Sequence, residues 1–470
     1  MNVIFVTSES VPFVATGGLG DVSGSLPIEL KKKGLDISVV LPLYSSISSE
    51  YVKDMEFIAS FNVTLGWRNQ YCGVFKYQLN DVPYYFLDNE YYFKRNGVYG
   101  FFDDGERYAF FCRAVLEMIA HIDLVPDIIH LNDWQSSLIP LYLKIFYRSN
   151  PLFYSVKTIT TIHNIAYQGM FSPFMLGDVL GIPEEYRELL LYNGDTNYLK
   201  SAIVESNIVS TVSPTYALEI LDPWYAHGLA PLLNEYSFKL RGILNGIDTS
   251  FYDPKTDESI AINYTYRSIQ RKKECKKALL AQFGLEYDER PVVSMVSRLV
   301  AHKGFDLVTY VFDDIINSGM RVILLGSGEE VYETTFSNYA LKYPDSFGLK
   351  IGFIPELSKQ IYAGSDMFLM PSQSEPCGLS QMIALRYGTI PIVRETGGLK
   401  DTVIDAGTGN GNGFTFSSYN AHDMLGACLR AKGLYENKEL WDKLIVHAMK
   451  CDNSWANAAN NYVYMYEELG

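Results

Sequence analysis

Runs of four to six aliphatic and β-branched residues recur along the first half of the chain: Val3–Thr7, Ile37–Leu41, Ile128–Leu131, Thr158–His163 and Ile208–Ser213. They are largely apolar rather than strictly alternating, as strands covered on both faces are, and the stretches between them have room for crossover helices. The rhythm restarts after Asp248 with Val292–Ser297, Val322–Leu325, Leu349–Ile354, Met367–Met370 and Ile390–Val393. Two successive α/β units with doubly wound parallel sheets are therefore expected. The joint is placed near Arg241–Asn245, ahead of the turn-rich NGID and FYDP and the basic stretch Arg271–Lys277. A last segment, Ser454-Trp455 to Leu469, reads as a closing helix whose docking partner its own pattern does not reveal.

Composition narrows the function. The 470 residues are 48% hydrophobic, enough for two cores, and no run reaches the ~18 apolar residues of a membrane span. The N-terminus lacks the pattern of a signal peptide, so a soluble cytoplasmic protein is expected. With 39 Lys and Arg against 54 Asp and Glu, a net charge of −15 argues against binding driven by nucleic-acid phosphates. The six cysteines have no C-x-x-C spacing and read as reduced thiols. None of the seven histidines pairs at i, i+4 and no D-x-D occurs, so no metal site is expected.

Candidate chemistry sits where strands end. TGGLGDV (Thr16–Val22) offers backbone N–H groups to an anion at a helix start. Gly18, Gly20 and Gly24 miss the G-x-G-x-x-G spacing by one residue and LPLY lacks a ribose-binding acid, which disfavours a nicotinamide cofactor. SRLVAHKG places Arg298 and Lys303 five residues apart after a strand, suited to a diphosphate. GSG (Gly326–Gly328) and ETGGL (Glu395–Leu399) bring further glycine turns to that sheet edge. PSQSEPCGLSQ carries Glu375 at an expected helix start, and Cys377 reads as a small buried thiol. In the first half, HLNDWQSSL and TIHNIAYQG place Asp133, Trp134, His163, Asn164 and Tyr167 after buried strands, residue types that grip hydroxyls and stack on a sugar ring.

These motifs, in order with YFKRNGVYG, TVSPTYALEI, YAHGL, GILNGID and the terminal Ser454-Trp455, resemble bacterial glycogen synthases and plant starch synthases over essentially the whole chain. The resemblance implies the glycosyltransferase B fold, two Rossmann-like domains facing across a cleft. These are an acceptor-side domain at 1–242, a nucleotide-sugar domain at 243–450, and a C-terminal helix at 451–470 returning to the first. It implies retaining transfer of glucose from ADP-glucose to the non-reducing end of an α-1,4-glucan, without cofactor or metal, in the cytoplasm or, for a plant-type enzyme, the plastid stroma. Its partners are a nucleotide sugar and a glucan, with no nucleic acid and no membrane.

Carried over by motif, Arg298 and Lys303 would neutralise the diphosphate, and Thr16, Gly17, Gly18, Cys377, Gly378, Leu379, Ser380 and Gln381 would line the donor. Glu375, His163 and Asn245 would hold the glucose, with Glu375, His163, Arg298 and Lys303 as the catalytic set. Asp21, Asp133, Trp134, Asn164 and Tyr167 would serve the acceptor or sugar. Glu375 matches the first acid of an E-x7-E pattern whose second position is Ile383 here, an absence that resembles the synthases, so one acid is expected. One position departs: Ala15 stands where the family carries lysine before TGGL. That leaves open a weakly active or regulatory glucan-binding paralogue, or a related retaining transferase using UDP-glucose.

Overall fold

The computed structural model describes all 470 residues, Met1–Gly470, as two compact units. Unit one comprises Met1–Val212, Ala217–Ile243 and Trp455–Gly470; unit two comprises Ser213–Tyr216 and Leu244–Ser454.

Unit one is built on a nine-stranded sheet. Its spatial order is Leu240–Gly242, Ile208–Thr211, Lys157–Ile162, Ile128–Asn132, Asn2–Val6, Asp36–Pro42, Val82–Asp88, Arg68–Leu79, Glu56–Leu65. All pairings as far as Val82–Asp88 are parallel, and the last two are antiparallel. The expected strands of this half are present. The antiparallel meander was not anticipated, although its signal is legible: Glu56–Leu65 ends in a strict alternation of exposed and buried positions, and two-residue links, Gly66-Trp67 and Asn80-Asp81, join the strands. Asn80 and Asp81 both take positive φ, as a tight hairpin of this length demands.

Unit two has a six-stranded, all-parallel sheet in the order Phe347–Ile351, Arg321–Gly326, Val292–Val296, Met367–Met370, Ile390–Arg394, Phe414–Phe416. The strand expected at Leu349–Ile354 lies two to three residues earlier because Pro355 opens the helix Pro355–Gly364, which makes 352–354 the turn. Helices cover this sheet: Leu279, Leu280 and Ile361 from two of them pack with Val292, Ile323 and Leu325 from the strands into one apolar cluster. No helix of either unit is long and apolar enough to cross a membrane.

The closing helix, Trp455–Glu467, packs on unit one. Trp455, Tyr462, Met465 and Tyr466 are buried, Lys33 Nζ donates to Asn460 Oδ1 at 2.6 Å, and Arg241 pairs with Glu468 at 2.9 Å. At its centre the Tyr466 hydroxyl lies 2.7 Å from His130 Nδ1, while His130 Nε2 lies 2.6 Å from Thr161 Oγ1, which in turn meets Ser210 Oγ at 2.6 Å. This relay ties the helix to three strands in the dry core, where burial pushes His130 down to about 3 and keeps it neutral. Tyr466→Phe strands one imidazole nitrogen. The expected loss is about 1–3 kcal/mol in urea unfolding followed by circular dichroism, and an unchanged midpoint would remove the relay as a source of stability.

Candidate active site

In unit two the strand Val292–Val296 leads into Ser297, Arg298 and a single turn, Ala301–Lys303. Gly304 follows at φ +80°, and a Cβ there would lie 2.1 Å from the Pro371 carbonyl, so only glycine lets the two loops meet. Gln373 N–H donates to the His302 carbonyl at 2.8 Å and stitches them together. The outcome is an ion pair: Lys303 Nζ stands 2.6 Å from Glu375 Oε2, with both side chains mostly out of water. Ser372 Oγ donates to the same oxygen at 3.0 Å. A cavity of about 70 Å³ opens here, lined by Ser297, Lys303, Phe305, Ser372, Glu375 and Ser380. Arg298 is exposed and pairs with no carboxylate.

The helix after this turn begins at Ser380, so Glu375 is not the helix-start acid expected from sequence; it belongs to the irregular loop and answers to Lys303. Gly397, at φ +44°, and Gly398 press ETGGL onto that loop: added Cβ atoms would sit 2.0 Å from the Glu375 carbonyl and 2.2 Å from the Cys377 carbonyl. Asn245 reaches the same turn, its N–H directed at the Cys377 sulfur, and its Oδ1 is buried with no partner. Burial pushes the Cys377 thiol up to about 12, which makes it packing rather than a nucleophile. The Gln381 side chain donates to the Cys377 and Gly378 carbonyls and to Thr402 Oγ1, so only its backbone N–H is left to donate to a ligand. Gly378 takes φ +71° in this turn, and Leu379 is the residue just before the helix.

Unit one presents two loops at strand ends. After Asn2–Val6, the buried carboxylate of Glu9 accepts from Thr16 N–H and Thr16 Oγ1, from Gly17 N–H at 3.3 Å and from the Tyr99 hydroxyl at 2.6 Å. Thr16, Gly17 and Gly18 are thereby held exposed at the start of the helix Gly18–Lys32. Asp21 in its first turn is pushed up to about 6, by burial and then by Glu9. The first loop is thus locally negative. Ala15 is exposed, and its Cβ packs where Gly20 has none.

The second loop is built on Asp133, which takes φ +55°, an unusual value for a non-glycine residue. Its N–H donates to the Thr161 carbonyl, its carbonyl accepts from Ser137 Oγ at 2.9 Å, and its carboxylate accepts from His163 N–H at 2.7 Å. Burial pushes Asp133 up to about 7, against the pull of the His163 and Asn164 N–H groups. His163 is pushed down to about 3 by burial and stays neutral. Asn132 Nδ2 donates to the Val6 carbonyl, which turns its Oδ1 toward His163 Nε2 at 2.9 Å. Nε2 therefore carries the hydrogen, and Nδ1 is left as an acceptor. Asn164 closes a turn onto Ala166 N–H, and Tyr167 is exposed.

Residues 2–235 match the family model described as "Starch synthase catalytic domain", and residues 277–443 match "Glycosyl transferases group 1". A glycogen synthase of Bacillus anthracis is 48% identical over the full length of both chains. The chain belongs to the glycogen and starch synthase family. It is a glycosyltransferase. The glycogen synthase of Geobacillus thermodenitrificans is 47% identical over 100% of this chain and 98% of its own. Among solved structures, the catalytic domain of starch synthase IV from Arabidopsis thaliana, bound to ADP and acarbose, matches at TM-score 0.92 and 34% identity, covering 100% of this chain and 99% of that one. Sucrose-phosphate synthase from Thermosynechococcus elongatus, at TM-score 0.62 and 16% identity, shares the fold, that of the B-type glycosyltransferases.

Within this family frame, the expected residues gather as two sets: Asn245, Lys303, Glu375, Cys377 and Ser380 in unit two, and Asp133, His163 and Asn164 in unit one. Trp134 does not present a stacking face. Its ring packs against Tyr108, Phe171 and Tyr198, and a Cβ on Gly169 would lie 2.6 Å from it. Glu9 was missed, since a carboxylate in SES has no local pattern to single it out; its partners are up to 90 residues away. A ¹H–¹⁵N spectrum is expected to show His163 neutral with Nδ1 unprotonated from pH 8 down to pH 5; titration near 6.5 would refute this assignment.

Proposed function

We propose that the chain moves glucose from ADP-glucose to the non-reducing end of an α-1,4-glucan with retention of configuration, without a metal. The observation carrying this reading is the Lys303–Glu375 pair, buttressed by Ser372 and flanked by Asn245 and the SEPCGL turn. Similarity to glycogen synthases, and to a starch synthase bound to ADP and acarbose, supports both substrates.

An arriving diphosphate competes with Glu375 for Lys303. Once Lys303 turns to the phosphate, Glu375 stays tethered by Ser372 and faces the sugar as a lone carboxylate. As the bond from the sugar's anomeric carbon to the diphosphate oxygen breaks, negative charge grows on that oxygen, and Arg298 and Lys303 meet it. They supply the positive charge a metal otherwise would. Backbone N–H groups of Gly18, Ser380 and Gln381 take further phosphate oxygens. The acceptor hydroxyl attacks from the face the diphosphate leaves, and its proton passes to the departing phosphate. Glu375 stabilises positive charge on the sugar; no opposed pair of carboxylates is needed for a double displacement. Asn245 Oδ1, a buried acceptor without a donor, and His163 Nδ1 hold sugar hydroxyls. Asp133, Asn164 and Tyr167 serve the acceptor side.

A second reading follows from Ala15 together with the negative first loop: a weakly active or regulatory glucan-binding protein, or a transferase preferring UDP-glucose.

Chain elongation of maltooligosaccharides is expected with ADP-glucose in EDTA, and Glu375→Ala is expected to lower turnover by about 10²–10³-fold. Near-normal turnover in the variant would sink the role given to Glu375. Elongation with UDP-glucose only, or glucan binding without turnover, would favour the second reading. Ala15→Lys has room to extend into solvent; restoring one charge-assisted contact is expected to tighten donor binding about tenfold. No change in donor KM would mean that other cations already fill that role.

A further inference from the structure

The segment Lys450–Ser454, between the last two helices of the chain, lines a cavity of about 370 Å³. All of its lining belongs to unit two, and none of it is shared with the cavity at Lys303 and Glu375. Ile247, Met382 and Met449, all buried residues, supply an apolar floor. Tyr266 contributes a half-exposed ring, with Lys450 Nζ 5.0 Å from its centre. Two strands of chain are tied together at the rim: Ile247 N–H donates to the Asn453 carbonyl at 2.8 Å, and Ile247 bridges in parallel to Ser454.

The charge of this lining runs against that of the chain. Where the whole protein carries −15, the cavity has two cations, Lys450 and Arg386, and one acid, Asp452. Asp452 Oδ1 accepts from Ser454 N–H at 3.1 Å. Lys450 is exposed and pairs with no carboxylate. Arg386 spends Nη2 on Asp253 at 3.1 Å and Nε on the Tyr252 carbonyl at 3.2 Å, which fixes the guanidinium and leaves Nη1 to donate. An occupant resting on the apolar floor takes water from both cations, and a covered cation without a negative partner is costly. The occupant therefore carries negative charge. The volume lies near the lower end of the roughly 300–1,000 Å³ of small-molecule sites, which suits a single ring with a headgroup.

We infer that this cavity is a regulatory site for a small organic anion, one ring bearing a phosphate or carboxylate head, with its body on Ile247, Met382 and Met449 and its head at Lys450 and Arg386. Binding there stands by itself; its effect on the donor rests on the ADP-glucose reading above. Two elements join the sites. Met382 and Arg386 lie on the helix Ser380–Arg386, whose opposite end, about 9 Å along the axis, presents Ser380 to the donor-side cavity. Ile247 follows two residues after Asn245, which reaches the Cys377 turn. A filled cavity braces both elements as the donor requires, so anion and donor tighten each other by the same factor.

Cys451 makes the test local. It lines the cavity and is the one half-exposed thiol of six, the other five being buried. Its alkylation by iodoacetamide, located by peptide mass spectrometry, reads occupancy without any need for activity. Phenyl phosphate and benzoate are the probes, and benzyl alcohol is the uncharged control. Saturable protection is expected from at least one anion, about tenfold at ten times its dissociation constant, and the tighter of the two identifies the head. Benzyl alcohol should give none. Lys450→Glu should weaken protection at least tenfold while leaving transfer kcat and KM, without probe, within about twofold; Lys450→Arg should retain it. Protection should persist under saturating ADP and in Lys303→Ala, which separates this cavity from the donor site. In the transfer assay the protecting anion should lower the half-saturating ADP-glucose concentration about fivefold in wild type and not in Lys450→Glu. Absence of protection, equal protection by benzyl alcohol, or protection lost with ADP or in Lys303→Ala would overturn the site. Protection with an unchanged half-saturation would overturn its regulatory role. If the wild type transfers no glucose yet Cys451 is protected through Lys450, the anion site stands and the proposed reaction fails.

Discussion

The candidate site of unit two is organised around one ion pair drawn out of water. Lys303 and Glu375 come from loops 72 residues apart and are worth little as a source of stability, since desolvating both offsets most of their attraction. Their value is positional. Breaking such a pair from one side leaves the other charge stranded, so the loop geometry that brings them together is under strict constraint. Gly304 beneath the Pro371 carbonyl and Gly397 beneath the Glu375 carbonyl are where that constraint reaches the backbone. On the proposed reading, a diphosphate entering this cradle would exchange one anionic partner of Lys303 for another, so the cation would not need to be desolvated anew.

Unit one follows a related logic with a different chemistry. Glu9 organises the Thr16–Gly18 loop by accepting neutral donors only, and Asp133 organises the His163 loop by accepting backbone N–H groups from an unusual φ. Both carboxylates are used to shape main chain. His163 is kept neutral and given a fixed tautomer by Asn132, whose own orientation is fixed by the first strand. A chain of hydrogen bonds thus runs from the sheet core to the ring nitrogen left for a ligand.

What the sequence made legible follows from what is local. Buried parallel strands write themselves as apolar runs, and the glycine turns that end them can be read in place; hence the parallel core of each sheet and the gathering of Lys303, Glu375 and Gly397 could be anticipated. Long-range side-chain assignments could not. Trp134 follows a strand as a stacking residue would, yet the space left by Gly169 and the ring of Tyr108 draw it inward. Gln381 has the composition of a phosphate donor, but Thr402 and two carbonyls occupy its amide. Nothing near Glu9 in sequence says that Tyr99 will arrive. The outer meander writes itself as an alternation of exposed and buried positions rather than as an apolar run, so it leaves no signal of the kind that marks the buried strands.

The docking of Trp455–Glu467 onto unit one has a consequence for how the protein is made. The strand carrying His130 is translated 336 residues ahead of Tyr466, the residue of the closing helix that meets it. Until then the first unit lacks one wall, and the faces of His130 and of the helix Gly18–Lys32 that this segment covers stand open. The second unit, complete by Ser454 apart from the terminal helix it does not own, can close first. Synthesis from the N-terminus therefore does not dictate folding from the N-terminus, and the nascent chain carries an unfinished apolar surface until that helix is made.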